Sequence, residues 1–157
     1  MPSLNDVYRK FGETSEAAQL LETELGTMLI MNKCIEADLI ENQNPENAAE
    51  IFKKIKKYTL GRLIKKLSNN DDSISKLENL LFEALEIRNR LAHSFYMGHN
   101  FRRNSEDGRL IMLEDLQVMH DKLLEAYKAV MLLNGTDLDK MVSENPEIKL
   151  PTDHLPI

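Results

Sequence analysis

The amino-acid sequence predicts an all-α protein, a bundle of four to five helices with an antiparallel central pair. Apolar residues recur every three or four positions along most of the chain, which is the spacing of helices that bury one face. Apolar and polar residues alternate with a period of two over only a few residues at a time, so a sheet is not indicated. Short segments rich in Asn, Asp, Pro or Gly separate the periodic stretches and predict the turns.

The chain suits a single domain, because 157 residues can bury one core of ordinary size. We expect residues 1–143 to form this domain and residues 144–157, which are polar and proline-containing, to be an extended or disordered tail. No run of about 18 apolar residues that could span a membrane is present, and the N-terminus lacks the pattern of a secretory signal. The single cysteine, Cys34, predicts an inert thiol. Together these features predict a cytoplasmic protein without membrane association.

The first two helices are predicted from their start signals. The first begins after an N-cap at Thr14 or Ser15 and ends near Leu39. After a polar loop, Asn44 caps the second helix, and Pro45 occupies its first position, where a missing N–H costs nothing.

A bend at residues 58–61 precedes a short third helix. A turn then leads into the central helix, with Asp72 or Ser73 as its N-cap. Its apolar pattern continues through the middle of the chain, and we expect the helix to end between Gly98 and Arg103.

The last long helix begins at Asn104 or Ser105 and stops at residues 134–135, an Asn-Gly pair. The helix that contains Leu77 and the one that contains Leu116 are predicted to form the antiparallel central pair.

The charge distribution is uneven. A net charge of −6 argues against a general nucleic-acid binder. However, residues 53–66 contain seven cations and no acid, and residues 88–109 contain five arginines against two acids. These two basic segments are consistent either with a surface that binds a polyanion or with two solvated helix faces.

The central helix carries polar residues where its apolar pattern predicts a core. Continuing the pattern from Leu81 and Leu85 leads to Arg88 and Asn89. A cation and an amide on a core-facing stripe cost several kcal/mol unless they are paired. Such a break in the pattern is expected at a functional or interface site.

Arg88, Asn89 and His93 together supply groups for cleaving RNA without a metal. Asn89 lies one helical turn from His93 and can orient its imidazole. The histidine can act as general acid or base, and the arginine can offset charge on the phosphate. One copy has only one such imidazole, whereas two copies across a two-fold axis supply an acid and a base. From the residues alone another interpretation stays open, in which Arg88 pairs with Glu83 or Glu86 of a neighbouring chain and His93 is an interface residue.

Other site types find no support in the sequence. There is no Gly-rich phosphate loop, and the four histidines and one cysteine lack zinc-ligand spacing, so neither a metal nor a cofactor is expected. His120 in the last helix is predicted to be a surface or rim residue.

The segment Arg88-Asn89-Arg90-Leu91-Ala92-His93 resembles the Arg-polar-x3-His motif of the HEPN superfamily. Features around the motif are also similar, and the resemblance covers roughly residues 14–135. These features are the segment Leu60-Gly61-Arg62-Leu63-Ile64 upstream, the pair Phe95-Tyr96 two and three residues after the histidine, and the pair Gly108-Arg109 at the start of the last helix.

The resemblance implies a homodimeric, metal-independent endoribonuclease that leaves 2′,3′-cyclic phosphate ends. Its catalytic residues would be Arg88, Asn89 and His93 from each subunit. The residues expected to bind RNA are Lys53, Lys54, Lys56, Lys57, Arg90, Arg102 and Arg103.

Many HEPN members are toxins of toxin–antitoxin pairs or components of antiphage systems, so an antitoxin protein is an expected partner. Others have lost catalysis, which leaves open a non-catalytic helical dimer that binds RNA or a protein partner. Members paired with a nucleotidyltransferase antitoxin carry a modified tyrosine two residues after the histidine. Here that position is Phe95, with Tyr96 one residue later on a different face. Regulation through that tyrosine is therefore not expected.

Overall fold

The computed structural model describes residues 1–147, which form α-helices, one 3-10 helix and no strand, so the predicted all-α class is confirmed. A 3-10 helix at Asn100–Asn104 precedes α7. The α-helices are α1 (Leu4–Glu36), α2 (Pro45–Ile55), α3 (Leu60–Asn70), α4 (Asp72–Lys76), α5 (Glu78–His93), α6 (Phe95–His99), α7 (Glu106–Leu133) and α8 (Leu138–Glu144).

Helix α1 begins earlier than predicted. Its N-cap is Ser3, whose hydroxyl accepts from the Asp6 N–H at 3.2 Å, while the Asp6 carboxylate accepts from the Ser3 N–H at 2.7 Å. The predicted caps at Thr14 and Ser15 were wrong. Thr14 is buried inside the helix and its hydroxyl donates to the Lys10 carbonyl at 2.8 Å, a bond that lets threonine continue a helix instead of starting one.

Helix α2 begins as predicted, with Asn44 as N-cap and Pro45 in the first turn. The next cap differs from the prediction. Asp71, rather than Asp72 or Ser73, caps α4, and its carboxylate accepts from the Ser73 N–H at 2.8 Å. Asp71, Asp72 and Ser73 are consecutive, so the predicted position of the turn is correct to within one or two residues.

The predicted central helix is divided into α4, α5 and α6. Leu77 separates α4 from α5, and Ser94 separates α5 from α6 with φ −142° and ψ 1°, which is outside the helical region. Asn100 follows α6 with a positive φ of 51°, a conformation that asparagine adopts more readily than most residues. His93 is therefore the last residue of α5 instead of lying within a longer helix.

Helices α1 and α7 run parallel and make the most extensive contact of the bundle. At one end Arg109 Nε donates to the Pro2 carbonyl at 2.8 Å, and at the other Asn134 Nδ2 donates to Glu24 Oε1 at 2.6 Å. These are the two longest helices, with 33 and 28 residues, so they bury the most side chains.

Helices α5 and α7 are antiparallel, as predicted. Near the end of α5 Arg90 pairs with Asp115, and near its start Glu83 pairs with Lys122. Their contact is smaller than that of α1 with α7, which makes α1 the main partner of α7. Fully buried apolar side chains from α1, α3, α5 and α7 form the core, among them Leu21, Leu25, Ile64, Leu67, Leu81, Leu116 and Leu123.

The start and end of α7 agree with the sequence prediction. The Ser105 hydroxyl caps α7 by accepting from the Gly108 N–H at 3.1 Å, and Gly135 follows the helix with φ +85°. Gly108 is required for packing, because a Cβ atom there would lie 2.1 Å from the Arg102 carbonyl oxygen. The 3-10 helix is thus held directly against the first turn of α7.

Helix α8 was not predicted, and it includes residue 144, the first residue of the predicted tail. The part of that tail from residue 148 onward lies outside the described residues. Within residues 1–147, none of the helices combines the length and apolar character that a membrane crossing requires.

Candidate nucleic-acid interface

The buried face of α5 differs from the predicted one. It is formed by Leu81, Ala84, Ile87 and Leu91. Both this set and the predicted one satisfy a spacing of three to four residues, so periodicity could not choose between them. Arg88 is therefore half-buried at the edge of the core and Asn89 is exposed, which removes the burial cost that the predicted stripe implied.

Arg88 is held by a residue of α1. Its Nε donates to Glu22 Oε1 at 2.8 Å, and its Nη1 donates to Asn89 Oδ1 at 3.3 Å. Its partner Glu22 belongs to the same chain. The sequence had left open a different pairing, with Glu83 or Glu86 of a neighbouring chain. Glu22 is 66 residues from Arg88 in the chain, and no local pattern indicates the pair.

Asn89 and His93 lie one helical turn apart on the exposed face of α5. Phe82 and Glu86 continue this exposed face toward the start of the helix, and Phe82 is 46% exposed. The polar residues of the motif are thus accessible to a ligand or to another protein molecule.

A cleft of about 760 Å³ lies beside this face, between α1, α2 and α5. Arg88 and Ala92 line it from α5, and Glu22 lines it from α1. Lys56 and Tyr58, which follow α2, line its other side. The structure therefore places Arg88 and Lys56, a cation of the first basic segment, in the same cleft. His93 directly follows Ala92, which lines that cleft.

The predicted RNA-binding lysines Lys53, Lys54, Lys56 and Lys57 are all exposed. Within residues 1–147 these lysines form no ion pair. A second, smaller depression of about 360 Å³ lies among them, and we call it the α2–α3 depression. It is lined by Glu50, Lys53, Lys54, Lys57, Tyr58 and Arg62.

The arginines predicted to bind RNA have partners within the chain. Both terminal nitrogens of Arg90 donate to the Asp115 carboxylate, with Nη1 at 2.9 Å from Oδ1. Arg102 Nη1 contacts His99 Nδ1 at 3.1 Å, and Arg103 Nη2 donates to the Tyr8 hydroxyl at 2.9 Å.

Asp115 joins Arg90 to a buried histidine. His99 is only 3% exposed, and its Nε2 lies 2.6 Å from Asp115 Oδ2. The Arg102 guanidinium can only donate, so we assign the His99 proton to Nε2, which donates to Asp115. Burial by itself raises the pKa of Asp115, but the hydrogen bonds from Arg90 and His99 outweigh it and lower that pKa. No local pattern in the sequence indicates this cluster.

His120 is buried, at 6% exposure, contrary to the prediction of a surface or rim residue. It lies where α7 packs on α1, and its Nδ1 accepts from Lys10 Nζ at 3.0 Å. Glu13 Oε2 is 4.0 Å from the same Lys10 nitrogen. Burial lowers the pKa of Lys10, although the nearby carboxylates oppose this effect. Lys10 on α1 supplies a polar partner for the buried His120, and Glu13 lies beside that lysine.

Phe95 and Tyr96 have packing roles. Phe95 is 1% exposed and lies 5.5 Å from Phe11, and Tyr96 lies 5.1 Å from the same ring, centroid to centroid. Burial raises the pKa of Tyr96. The residue two positions after His93 is therefore a core phenylalanine.

Comparison with protein-family models, with curated proteins and with solved structures finds no match to this chain. Within the part of the chain that the structure describes, no group of three or more His, Cys, Asp or Glu side chains is arranged to hold a metal ion.

Proposed function

We propose that the protein is a metal-independent endoribonuclease of HEPN type whose site is composed of Arg88, Asn89 and His93 from two subunits. The observation that supports this best is the position of Asn89 and His93, exposed one turn apart beside a cleft lined by Arg88. An exposed imidazole and an adjacent guanidinium are the groups that phosphodiester cleavage through the 2′-hydroxyl requires.

In this mechanism His93 of one subunit takes the proton from the 2′-hydroxyl of the substrate. The 2′-oxygen attacks phosphorus, the bond from phosphorus to the 5′-oxygen breaks, and His93 of the partner subunit donates a proton to that oxygen. The products are a 2′,3′-cyclic phosphate and a 5′-hydroxyl. Arg88 Nη2 makes no hydrogen bond within residues 1–147, so it is free to contact a phosphate oxygen while Nε stays with Glu22.

A two-fold assembly through the exposed face of α5 would bring the two sites together. Phe82, Met97 and Phe101 are exposed at 46%, 76% and 76%, and they lie on α5, on α6 and in the 3-10 helix, which provides apolar area for such a contact. Sedimentation at micromolar concentration should give about twice the chain mass of 18.1 kDa. A monomer under these conditions would rule out a composite site.

As a toxin or defence nuclease, the protein would act in the cytoplasm and be restrained by an antitoxin protein. Since the position two residues after His93 is the buried Phe95, we propose that restraint occurs by binding instead of by tyrosine modification.

The direct test is cleavage of RNA by the purified protein in the presence of EDTA, with analysis of the product ends. His93→Ala should abolish cleavage, since it removes the proton-transfer group. Glu125→Gln is the control, because Glu125 is exposed on α7 and belongs neither to the cleft lining nor to the proposed interface of α5. Loss of activity in EDTA, or equal activity of His93→Ala and wild type, would contradict the proposal.

The ion pair between Arg88 and Glu22 favours a second candidate, a non-catalytic dimer that binds RNA or a protein partner. In that case Arg88 is chiefly a structural residue. The wild type would then bind a partner without cleaving RNA, and Arg88→Ala and His93→Ala would unfold or separate the dimer.

A further inference from the structure

We propose that the α2–α3 depression binds one nucleotide of single-stranded RNA and that the strand continues from there to Arg88. The first part concerns binding alone, whereas the second part rests on the proposed ribonuclease function. Three observations carry the inference: unpaired positive charge, an aromatic ring covered by a guanidinium, and continuity with the cleft.

The charge of the depression is strongly positive. Three lysines and Arg62 line it against one acid, Glu50. Lysines 53, 54 and 57 are exposed and form no ion pair within residues 1–147, so their mutual repulsion is not offset by partners in the fold. Such a concentration of cations on a protein with a net charge of −6 indicates a local site for a polyanion.

The ring of Tyr58 distinguishes this site from a simple cationic surface. Tyr58 is half-buried, and the carbon of the Arg62 guanidinium lies 4.1 Å from its ring centroid. A guanidinium stacked in this way holds a flat surface on which a nucleobase can stack, and its N–H groups remain available to phosphate. The volume of about 360 Å³ lies within the roughly 300–1,000 Å³ range of small-molecule sites.

Tyr58 lines both the depression and the larger cleft. Lys56 and Arg88 line that cleft as well, so phosphates of one strand can meet cations both in the depression and in the cleft. A base that stacks on Tyr58 or Arg62 must leave its own helix, whereas a duplex keeps its bases stacked inside. The site therefore favours a single strand over a duplex.

The test measures binding of a fluorescent single-stranded 2′-O-methyl RNA, which cannot be cleaved through the 2′-hydroxyl. We expect it to bind at least several-fold more tightly than the same strand annealed to its complement. Tyr58→Leu should weaken single-strand binding about 10-fold because a stacking surface is lost. Tyr58→Phe, which keeps the ring, should restore most of the affinity.

Two double variants, each of which removes two lysine charges, distinguish binding at this site from non-specific attraction to the positive charge of the protein. Lys53→Gln/Lys57→Gln should weaken binding at low salt and reduce the salt dependence by about two counterions. Lys65→Gln/Lys66→Gln removes the same charge from exposed positions of the same basic segment that do not line the depression, and it should change affinity less than 3-fold.

The inference is overturned if both double variants weaken binding equally, or if duplex RNA or polyglutamate binds as tightly as the single strand. If Tyr58→Leu does not fold, Arg62→Gln and the two double variants decide the question by the same criteria. Site-specific binding without any RNA cleavage would support the depression and refute the proposed function. Cleavage that is unaffected by every variant of the depression would refute the inference alone.

Discussion

Helix α5 and the segment after it contain two Arg–His pairs with opposite environments. Arg88 lines an open cleft, and His93 is exposed at the end of the helix. Arg90 and His99, by contrast, both hydrogen-bond to Asp115, and His99 is buried. We call Arg88 and His93 the accessible pair, because they border the cleft and solvent, although Arg88 is also bonded to Glu22. We call Arg90 and His99 the fixed pair, because one carboxylate of α7 joins them. Tertiary partners alone decide this difference between residues of the same types.

The fixed pair supports the accessible one. Through Asp115 of α7, Arg90 holds the last turn of α5, and His99 holds the end of α6. His93 and Ser94 lie between these two attachment points, where the chain changes direction. We infer that the Asp115 cluster sets the position of the exposed imidazole.

The largest expected effect is the difference between the alanine variants of Arg88 and Arg90. Arg88→Ala should reduce RNA cleavage by about 100- to 1,000-fold, because charge on the phosphate is no longer offset. It should lower stability by less than about 1 kcal/mol, since its pair with Glu22 is partly exposed. RNA cleavage rates and thermal melting of the two alanine variants measure the difference. Arg90→Ala should lower stability more than Arg88→Ala does, because Asp115 loses a partner that donates to both of its oxygens. It should reduce cleavage less than Arg88→Ala does, since Arg90 acts only through the position of His93. A cleavage loss as large as that of Arg88→Ala, without destabilisation, would mean that the two arginines have been assigned to the wrong roles.

The second effect concerns the stability of the fixed pair. Asp115→Asn should destabilise the protein by about 2–3 kcal/mol, because Arg90 and His99 lose a charged acceptor in a partly buried site. Urea unfolding at neutral pH measures this free energy. Glu125→Gln on the exposed face of α7 is the control and should change it by less than about 0.5 kcal/mol. Equal stability of Asp115→Asn and the wild type would show that the cluster does not hold the helices together.

The Asp115 carboxylate should also make the stability of the protein depend on pH in the acidic range. The pKa of Asp115 is lower in the folded protein than its ordinary value of 3.8, so the unfolded chain binds its proton more readily. Its contribution to stability is complete above that ordinary value and is lost as pH falls through the folded pKa. The difference in unfolding free energy between wild type and Asp115→Asn should therefore shrink below about pH 4. A difference that stays constant down to pH 2 would contradict the assigned pKa direction.

Some local features, although not the caps of α1 and α4, were predictable from the sequence, whereas partners distant along the chain were not. Ser105 and the Asn-Gly pair at residues 134–135 delimit α7 as predicted, because capping depends on adjacent residues. Asp115 and Glu22 belong to no local pattern, so their pairing with α5 could not be foreseen. To predict that His93 is exposed, one must know which apolar face of α5 is buried, and the periodicity of the sequence did not decide this.

The smallest expected effect concerns the accessible pair itself. Glu22 holds Arg88 Nε, and its negative charge lies in the wall of the cleft that a phosphate would enter. Glu22→Gln keeps the size and a hydrogen-bond acceptor but removes this charge, so affinity for single-stranded 2′-O-methyl RNA should rise a few-fold at low salt. The gain should disappear at high salt, where the interaction is screened. Glu16→Gln, another exchange on α1 but outside the cleft lining, is the control and should have little effect. If Glu22→Gln instead weakens binding, Glu22 is needed to position Arg88, and the ion pair belongs to the binding-competent state.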